Sequence, residues 1–208
     1  MRVLIADDHT VIRKGLKQIL VEEYPSVFIE EATDAEMAIR KIIADDWDVI
    51  ITDLSMPGRS GLDILQHVKQ NGLKVPVLVL SVHPEEQYAI RVLKAGASGY
   101  LTKDAAQDEL VEAVQRVLLG RKYVSPSIAE KLILELDQPA SDKSPHELLS
   151  DREFDVFRLL AAGKSISEIA EQLSISITTV STYRARTLAK LNMKTNADIT
   201  RYAIENKL

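Results

Sequence analysis

The residues of this chain that are best suited to chemistry each follow a short apolar run. Apolar, β-branched runs of this length are typical of buried strands. Parallel strands place their carboxyl ends at one edge of a sheet, which is where open α/β sheets bind ligands. We therefore expect the polar residues that follow these runs to lie together at that edge: Asp7, Asp8, Asp53, Ser81, Thr102 and Lys103.

This set of side chains predicts a site for a metal ion and a phosphoryl group. Clustered carboxylates repel one another and shift each other's pKa, so packing alone gives no reason to collect them. Mg²⁺ would relieve the repulsion, since it favours one or two carboxylates, waters and a phosphate oxygen. Lys103 could pair with the phosphate, and Ser81 could donate a hydrogen bond to it. One aspartate would then be free to act as a nucleophile and form an aspartyl phosphate.

The elements that must position these residues alternate along residues 1–119. Between the apolar runs lie segments whose apolar residues have helical spacing, beginning with Val11, Leu16 and Leu20. Such alternation predicts an α/β domain with a five-stranded parallel sheet and helices on both faces. The runs interpreted as strands are Val3–Ala6, Val27–Ile29, Val49–Thr52, Val75–Val82 and Gly99–Leu101.

Length and composition set broader limits. The 208 residues allow one large or two small domains, and 46% apolar and 27% charged residues are ordinary globular values. No apolar run approaches the roughly eighteen residues of a membrane span, and the N-terminus reaches acidic residues too early for a signal peptide. With no cysteines, we expect a cytoplasmic protein without disulfides. The net charge of −5 is uneven: residues 1–120 carry −6 and the remainder +1.

The first 119 residues resemble the receiver domain of a two-component response regulator. The shared motifs are an acid pair after the first strand, Asp-x-x-Met-Pro-Gly after the third, Ser after the fourth and Lys after the fifth. The resemblance implies a flavodoxin-like fold and phosphorylation of Asp53 by a partner sensor histidine kinase. It also implies further roles: Asp7, Asp8, Asp53 and the Ser55 carbonyl bind Mg²⁺, Ser81 and Lys103 bind the phosphoryl group, and Tyr100 changes rotamer with Ser81.

Residues 120–147 are predicted to join two domains. The stretch Gln138–Pro145 has linker composition, and Ile128–Leu136 could form a short helix. Residues 148–208 show only helical patterns. Ser150–Glu153 is a capping box that opens one helix, and Ser165–Glu168 opens a second, short one. A tight turn and a longer helix from Ile177 then complete the layout of a DNA-binding helix-turn-helix.

The longer helix is predicted to enter the major groove of double-stranded DNA. With Val180, Leu188 and Leu191 facing inward, its outer face is small, polar and basic, which suits contacts to base edges and phosphates. We expect Lys190 and Lys194, at its C-terminal end, to reach phosphates. The predicted DNA-binding residues are Thr178, Thr179, Ser181, Thr182, Arg184, Ala185, Arg186 and Lys190.

The second half of the chain also resembles the LuxR-type helix-turn-helix, and the two domains together are similar to the NarL/FixJ family of response regulators. Many members have Lys where this chain has Ser181, and an apolar residue where it has Arg184. The resemblance implies a homodimer when phosphorylated or bound to DNA. Ile199, Tyr202 and Ala203 on the terminal helix are the predicted dimerisation residues.

Two other functions remain open from the sequence. One is a phosphohydrolase that uses an aspartyl phosphate, although enzymes of the haloacid-dehalogenase type have a second Asp where this chain has Ser55. The other is a protein-interaction module whose basic tail does not bind DNA. We expect all four histidines, His9, His67, His83 and His146, to be structural, with His9 the nearest to the site.

Overall fold

The computed structural model describes residues 1–136, 144–206 and 208. They form two compact units, Met1–Ile133 and Leu134–Leu208. Most of the predicted linker stretch Gln138–Pro145 therefore lies outside the described residues. Within the described part, no helix has the length and apolar character needed to cross a membrane.

The first unit contains the predicted five-stranded parallel sheet. Its strands are β1 (Arg2–Ala6), β2 (Phe28–Ala32), β3 (Val49–Asp53), β4 (Val77–Ser81) and β5 (Gly99–Thr102), in the order β2-β1-β3-β4-β5. The register pairs Asp53 with Leu80 and Ser81 with Thr102, so the carboxyl ends of the strands lie side by side. Asp53 is thus the last residue of the central strand.

Helices cover both faces of this sheet, as predicted. Their bounds are α1 (Thr10–Glu23), α2 (Ala35–Ala44), α3 (Gly61–Gln70), α4 (Glu85–Ala95) and α5 (Ala106–Leu118). A sixth helix, α6 (Pro126–Leu136), follows them in the chain and contains the stretch Ile128–Leu136 that was predicted to form a short helix. Helices α1 and α5 pack together over one face, and α2, α3 and α4 follow one another on the opposite side. Every residue of β3 is buried, because helices cover the central strand from both sides.

The edge strand β2 extends beyond the apolar run that predicted it. The pattern missed the second half of the strand because that half contains charged residues. Glu30 forms an ion pair with Lys41, and Glu31 accepts a 3.0 Å hydrogen bond from Arg13. An edge strand tolerates such residues since only one of its sides pairs with a neighbour. The apolar pattern is also wrong at Val11, whose side chain is exposed rather than packed against the sheet.

The start of the interval predicted to join the domains packs on the first unit. Tyr123 forms a bridge to Gly99 at the start of β5. A Cβ on Gly99 would lie 2.8 Å from the Tyr123 carbonyl oxygen, so only glycine permits this approach. Farther along, the hydroxyls of Ser125 and Ser127 each donate a 2.8 Å hydrogen bond to Glu85 of α4. This stretch is therefore attached to the sheet edge and to α4.

The second unit is helical, in agreement with the sequence pattern. A 3₁₀ turn (Pro145–Leu148) precedes α7 (Asp151–Ala161), α8 (Ile166–Gln172), α9 (Ile177–Lys190) and α10 (Asn196–Glu205). The predicted capping boxes are present at Ser150 and Ser165, and further ones open the 3₁₀ turn and α10. Helices α8 and α9 with the turn between them form the predicted helix-turn-helix. The residues predicted to face inward from α9 and its end are buried: Val180, Leu188 and Leu191.

One glycine fixes the backbone beside Asp53. A Cβ on Gly61, the first residue of α3, would lie 2.3 Å from the Asp53 carbonyl oxygen. We expect Gly61→Ala to lower the free energy of unfolding of the first unit by about 1–3 kcal/mol, because the backbone of β3 or α3 must move. Urea titration followed by fluorescence of Trp47, the single tryptophan, buried in this unit, measures the change.

Gly15 provides the matched control. It lies within α1, and no described atom lies within 4 Å of the Cβ that alanine would add. Gly15→Ala should raise the unfolding free energy by about 0.5–1 kcal/mol, since alanine is the better helix former. Equal stability of the two variants would contradict the proposed close contact at Gly61.

Candidate functional site

The acidic residues predicted to meet at the sheet edge do so in the structure. Asp7 and Asp8 follow β1, and Asp53 ends β3. Oxygens of these three carboxylates and a ring nitrogen of His9 all lie within 4.8 Å of one another. Asp7 and Asp53 are only 1% and 2% exposed, whereas Asp8 is partly open to solvent. The short strands β1 and β3 thus deliver one buried carboxylate each to the same point.

Lys103 joins the two buried carboxylates. Its Nζ lies 2.7 Å from Asp7 Oδ2 and 2.8 Å from Asp53 Oδ2. Its backbone N–H donates a 2.8 Å hydrogen bond to the Ser81 carbonyl, which fixes the residue at the end of β5. Burial alone would lower the pKa of Lys103, but its hydrogen bonds to Asp53 and Asp7 outweigh this effect and raise the pKa above the ordinary value. The ammonium group therefore stays charged.

Asp53 has a different electrostatic environment. Burial raises its pKa above the ordinary value, and the nearby charge of Asp7 adds to this effect. Lys103 opposes it, as does the backbone N–H of Ser55, which donates a 3.2 Å hydrogen bond to Asp53 Oδ1. The carboxylate is poorly solvated and is held in one orientation, which suits a nucleophile.

The predicted switch residues lie beside this cluster. Ser81 is fully buried, and its Oγ accepts a 3.0 Å hydrogen bond from the His83 backbone N–H. Tyr100 is 3% exposed, and its hydroxyl donates a 2.8 Å hydrogen bond to the His83 carbonyl. Both side chains therefore hold the same residue of the loop between β4 and α4.

Two residues that the sequence analysis did not assign to the site contact it directly. His9, expected to be structural, lies with Nδ1 3.2 Å from Asp7 Oδ1 and 2.9 Å from Asp8 Oδ1. Arg13 is buried, and its Nη1 donates a 2.7 Å hydrogen bond to the Asp7 carbonyl. Helix α1 begins just after the acid pair, so a residue one turn into the helix can lie close to that pair. This spacing could have identified Arg13.

The donor set fits a hard divalent cation. Three carboxylates converge, and Asp8 Oδ1 is shielded from solvent, with the His9 ring nitrogen 2.9 Å away. A shielded carboxylate oxygen needs a donating or positively charged partner, and a divalent cation among the three carboxylates would provide one. The acidic cluster is therefore the candidate metal centre of the first unit.

The second candidate site is the outer face of α9. Six of the predicted DNA-binding residues are exposed: Thr178, Ser181, Thr182, Ala185, Arg186 and Lys190. Two others are half-buried and have local partners: Thr179 Oγ1 lies 2.7 Å from Ser176 Oγ, and Arg184 Nε donates a 2.7 Å hydrogen bond to Asn196 Oδ1. Arg186 forms no ion pair with the described residues. This face is small, polar and basic, as predicted.

Comparison with known proteins identifies the family. A model of the "Response regulator receiver domain" matches residues 3–115, and a model of "Bacterial regulatory proteins, luxR family" matches residues 147–203. Response regulator UvrY of Escherichia coli (strain K12) is 35% identical over 208 residues, which covers 100% of this chain and 95% of UvrY. This chain is a response regulator of the NarL/FixJ family.

Other relatives agree over the whole length. The oxygen regulatory protein NreC of Staphylococcus carnosus is 34% identical over 214 residues, covering 100% of the response regulator described here and 99% of NreC. Among solved structures, RcsB from Salmonella enterica serovar Typhimurium bound to promoter rprA in the presence of the phosphomimetic BeF₃⁻ matches with a TM-score of 0.63 at 27% identity. This match covers 97% of the present chain and 98% of that one.

The structure contradicts part of the predicted dimer surface of this response regulator. Ile199 and Ala203 are 0% and 3% exposed, because they pack into the core of the second unit. Tyr202 is half-buried, and its hydroxyl lies 3.0 Å from His146 Nδ1. The predicted dimer surface is therefore the side of α10 that faces the core of its own unit. Apolar spacing shows that one side of a helix is buried, but it does not show whether the same domain or a partner buries it.

Lys190, which was predicted to reach a phosphate, has two partners inside the domain. Its Nζ lies 2.6 Å from Glu153 Oε2 and donates a hydrogen bond to the Leu148 carbonyl. Glu153 is 3% exposed. Burial would raise the pKa of Glu153, but the hydrogen bonds from Lys190 and Ser150 outweigh burial and hold the pKa below its ordinary value. The Lys190 ammonium group thus stabilises the buried Glu153 carboxylate, and its contact with a DNA phosphate stays a prediction.

We expect Lys190→Ala to destabilise the second unit by about 1–3 kcal/mol, because a buried carboxylate loses its charged partner. Faster hydrogen–deuterium exchange in peptides from α7 and α9 measures the loss. Arg186→Ala, on the exposed side of α9, is the control and should change stability by less than about 0.5 kcal/mol.

The ion pair also predicts a pH dependence. Because the pKa of Glu153 is lower in the folded state, its stabilising contribution is present above the unfolded-state pKa and is lost as pH falls through the folded-state value. The protection factors of the α7 amides, which are exchange rates corrected for the slower intrinsic exchange at low pH, should therefore fall below about pH 4.3 in the wild type. Exchange rates in Lys190→Ala that match the wild type at neutral pH would contradict this role.

Proposed function

We propose that this response regulator is a cytoplasmic transcription regulator whose DNA binding is controlled by phosphorylation of Asp53 by a partner histidine kinase. The position of Lys103 is the observation that carries the proposal, because its ammonium group contacts both Asp7 and Asp53. A buried ammonium at this point can transfer one of its contacts to a phosphoryl oxygen while keeping the other. One carboxylate would be enough to neutralise a lysine whose role is only structural, whereas Lys103 contacts two.

In the proposed reaction, an oxygen of Asp53 forms a bond to phosphorus. The bond between phosphorus and the kinase histidine nitrogen breaks, and its electron pair returns to that nitrogen. Mg²⁺ would supply charge neutralisation on the phosphoryl oxygens when bound by Asp7, Asp8, Asp53 and the Ser55 carbonyl. Ser55 provides no second carboxylate for acid–base chemistry, which favours a regulatory phosphoprotein over a phosphohydrolase.

The phosphoryl group would act on the loop between β4 and α4. Phosphorylation adds a charge of roughly −1.5 to −2 and several strong acceptor oxygens. Ser81 would turn toward these oxygens to donate its hydroxyl hydrogen, which would weaken the hydrogen bond that its Oγ now accepts from the His83 N–H. Tyr100 holds the carbonyl of the same residue, so the loop and Tyr100 would rearrange together. The size of the shift is limited by the difference in contacts between the two states.

The first test of this proposal is direct labelling. With acetyl phosphate and a magnesium salt, intact-mass spectra of the wild type should show the addition of one phosphoryl group. Asp53→Asn should abolish the addition, because the amide oxygen is a poor nucleophile. Asp104→Asn, which alters an exposed acid beside Lys103, should be labelled like the wild type. Full labelling of Asp53→Asn would refute the assignment.

For DNA recognition, we propose that α9 enters the major groove. Its exposed hydroxyls and Arg186 support this role, and RcsB, which matches over 97% of this chain, has been solved bound to a promoter.

We further propose a homodimer on DNA, which would require half-sites about one helical turn apart. The exposed side of α10 carries Ala197, Arg201 and Ile204, and it replaces the predicted dimer surface.

Arg186→Ala tests the proposed recognition helix. If Arg186 reads a base, its loss should weaken operator binding by about 1–3 kcal/mol and relax preference at one base pair. Gel-shift titrations over a library of operator variants measure both effects. Lys69→Ala, which removes an exposed positive charge from α3, should leave both unchanged. If the wild type binds duplex DNA with no salt dependence or not at all, the second unit is instead a protein-interaction module.

A further inference from the structure

Arg184 combines a position on the inward side of α9 with a charged end at the surface. It lies one turn after Val180 and one turn before Leu188, and both of these residues are buried. Arg184 itself is half-buried, and its guanidinium group ends beside Asn196, an exposed residue that opens α10. A long side chain can pack its aliphatic stem in this way while its charged end stays near water.

The guanidinium group has a neutral partner. Arg184 Nε donates a 2.7 Å hydrogen bond to Asn196 Oδ1, and the group forms no other hydrogen bond and no ion pair with a described residue. Asp198, the acidic residue in the first turn of α10, instead accepts hydrogen bonds from Thr195 and forms an ion pair with Arg201. Since burial of a charge is unfavourable without an opposite charge, the guanidinium group favours an anionic ligand.

The hydrogen bond to Asn196 leaves one edge of the guanidinium group free. The group has five N–H donors in a fixed plane, and Nε supplies only one of them. The terminal nitrogens Nη1 and Nη2 supply the others, and their edge can bind two oxygens of a phosphate at once. Because Asn196 holds Nε, this free edge is kept in one orientation. Lys194, which is exposed nearby in the chain, adds a second cation without an ion pair to the described residues.

We propose that Arg184, held by Asn196, binds a phosphate of the DNA backbone and that Asn196 is its positioning residue. The inference rests on the proposed entry of α9 into the major groove and adds a contact at the side of that helix next to α10. A phosphate backbone runs along each side of a major groove, so side chains at the flanks of the helix can reach it. Such a contact fixes the helix on the duplex and carries no base preference.

DNA binding of the full chain at increasing salt concentration tests the phosphate contact. The probe is a duplex library of random sequence, because phosphate contacts act on every sequence. Arg184→Met keeps a long stem for packing and removes the charge. It should lower the salt slope, which is the slope of log affinity against log salt concentration, by about one per bound protomer. It should also weaken binding about fivefold to tenfold at about 0.1 M salt. Arg40→Met, which removes an exposed arginine from α2, should match the wild type.

Variants of Asn196 separate a positioning role from a direct contact. Asn196→Ala should weaken binding about threefold with an unchanged salt slope, because the charge stays while the guanidinium group loses its fixed orientation. In the Arg184→Met background the same change should have no further effect. Asn196→Asp should instead lower the salt slope, since its carboxylate would pair with the guanidinium group and neutralise it.

Neutral phosphates identify the contact from the DNA side. In a duplex selected from the library, single phosphates are replaced by uncharged methylphosphonates. One replacement in each half-site should weaken binding of the wild type about fivefold and leave binding of Arg184→Met unchanged. Each protein is compared with itself, so a difference in stability between them does not affect the result.

The opposite results distinguish the two proposals. A wild-type salt slope and affinity in Arg184→Met would overturn the phosphate contact. An equal effect of Asn196→Ala in both backgrounds would overturn its positioning role, since Asn196 would then act without Arg184. If the wild type itself shows no salt-dependent binding to duplex DNA, the proposed function fails instead.

Discussion

A single buried ammonium group holds together a sheet edge that would otherwise repel itself. Asp7 follows the strand β1, Asp53 ends β3, and Lys103 follows β5, so the two ion pairs at 2.7 and 2.8 Å connect three strands across the sheet. Removing ions from water is costly, and such a cluster persists only when each charge has a close partner. Any chemistry at Asp53 therefore changes the balance of charge at the ends of β1 and β5 as well.

The backbone around this cluster is fixed by contacts that involve no reacting atom. Arg13 holds the Asp7 carbonyl, and Gly61 permits α3 to begin directly against the Asp53 carbonyl. On the other side, Ser81 and Tyr100 both bond to the backbone of His83. The site thus has two halves. The half at β1 and β3 is fixed by backbone contacts, and the half between β4 and α4 is held by side-chain hydrogen bonds that can be replaced by others. A phosphoryl group would act on the second half.

The second unit uses a buried ion pair for a different purpose. Glu153 is both the capping-box residue of α7 and the partner of Lys190 at the end of α9. One carboxylate therefore fixes the start of one helix and the end of another, which sets the orientation of α9. Arg186, one turn earlier, has no such partner among the described residues and remains available for a ligand. Two basic residues on the same helix thus differ in their contacts within the domain, and only that of Lys190 is an ion pair with a described residue.

Local sequence determined the elements, the parallel sheet, the helix caps and the convergence of Asp7, Asp53 and Lys103, because strand periodicity and chain direction fix which residues reach one edge. It did not determine which charges find partners within the fold. The ion pair of Lys190, the burial of Ile199 and the charged half of β2 depend on residues distant in sequence, and only the tertiary structure brings them together. His9 belongs to the same class: its type and position were visible, but its distance from Asp8 was decided by how α1 leaves the sheet.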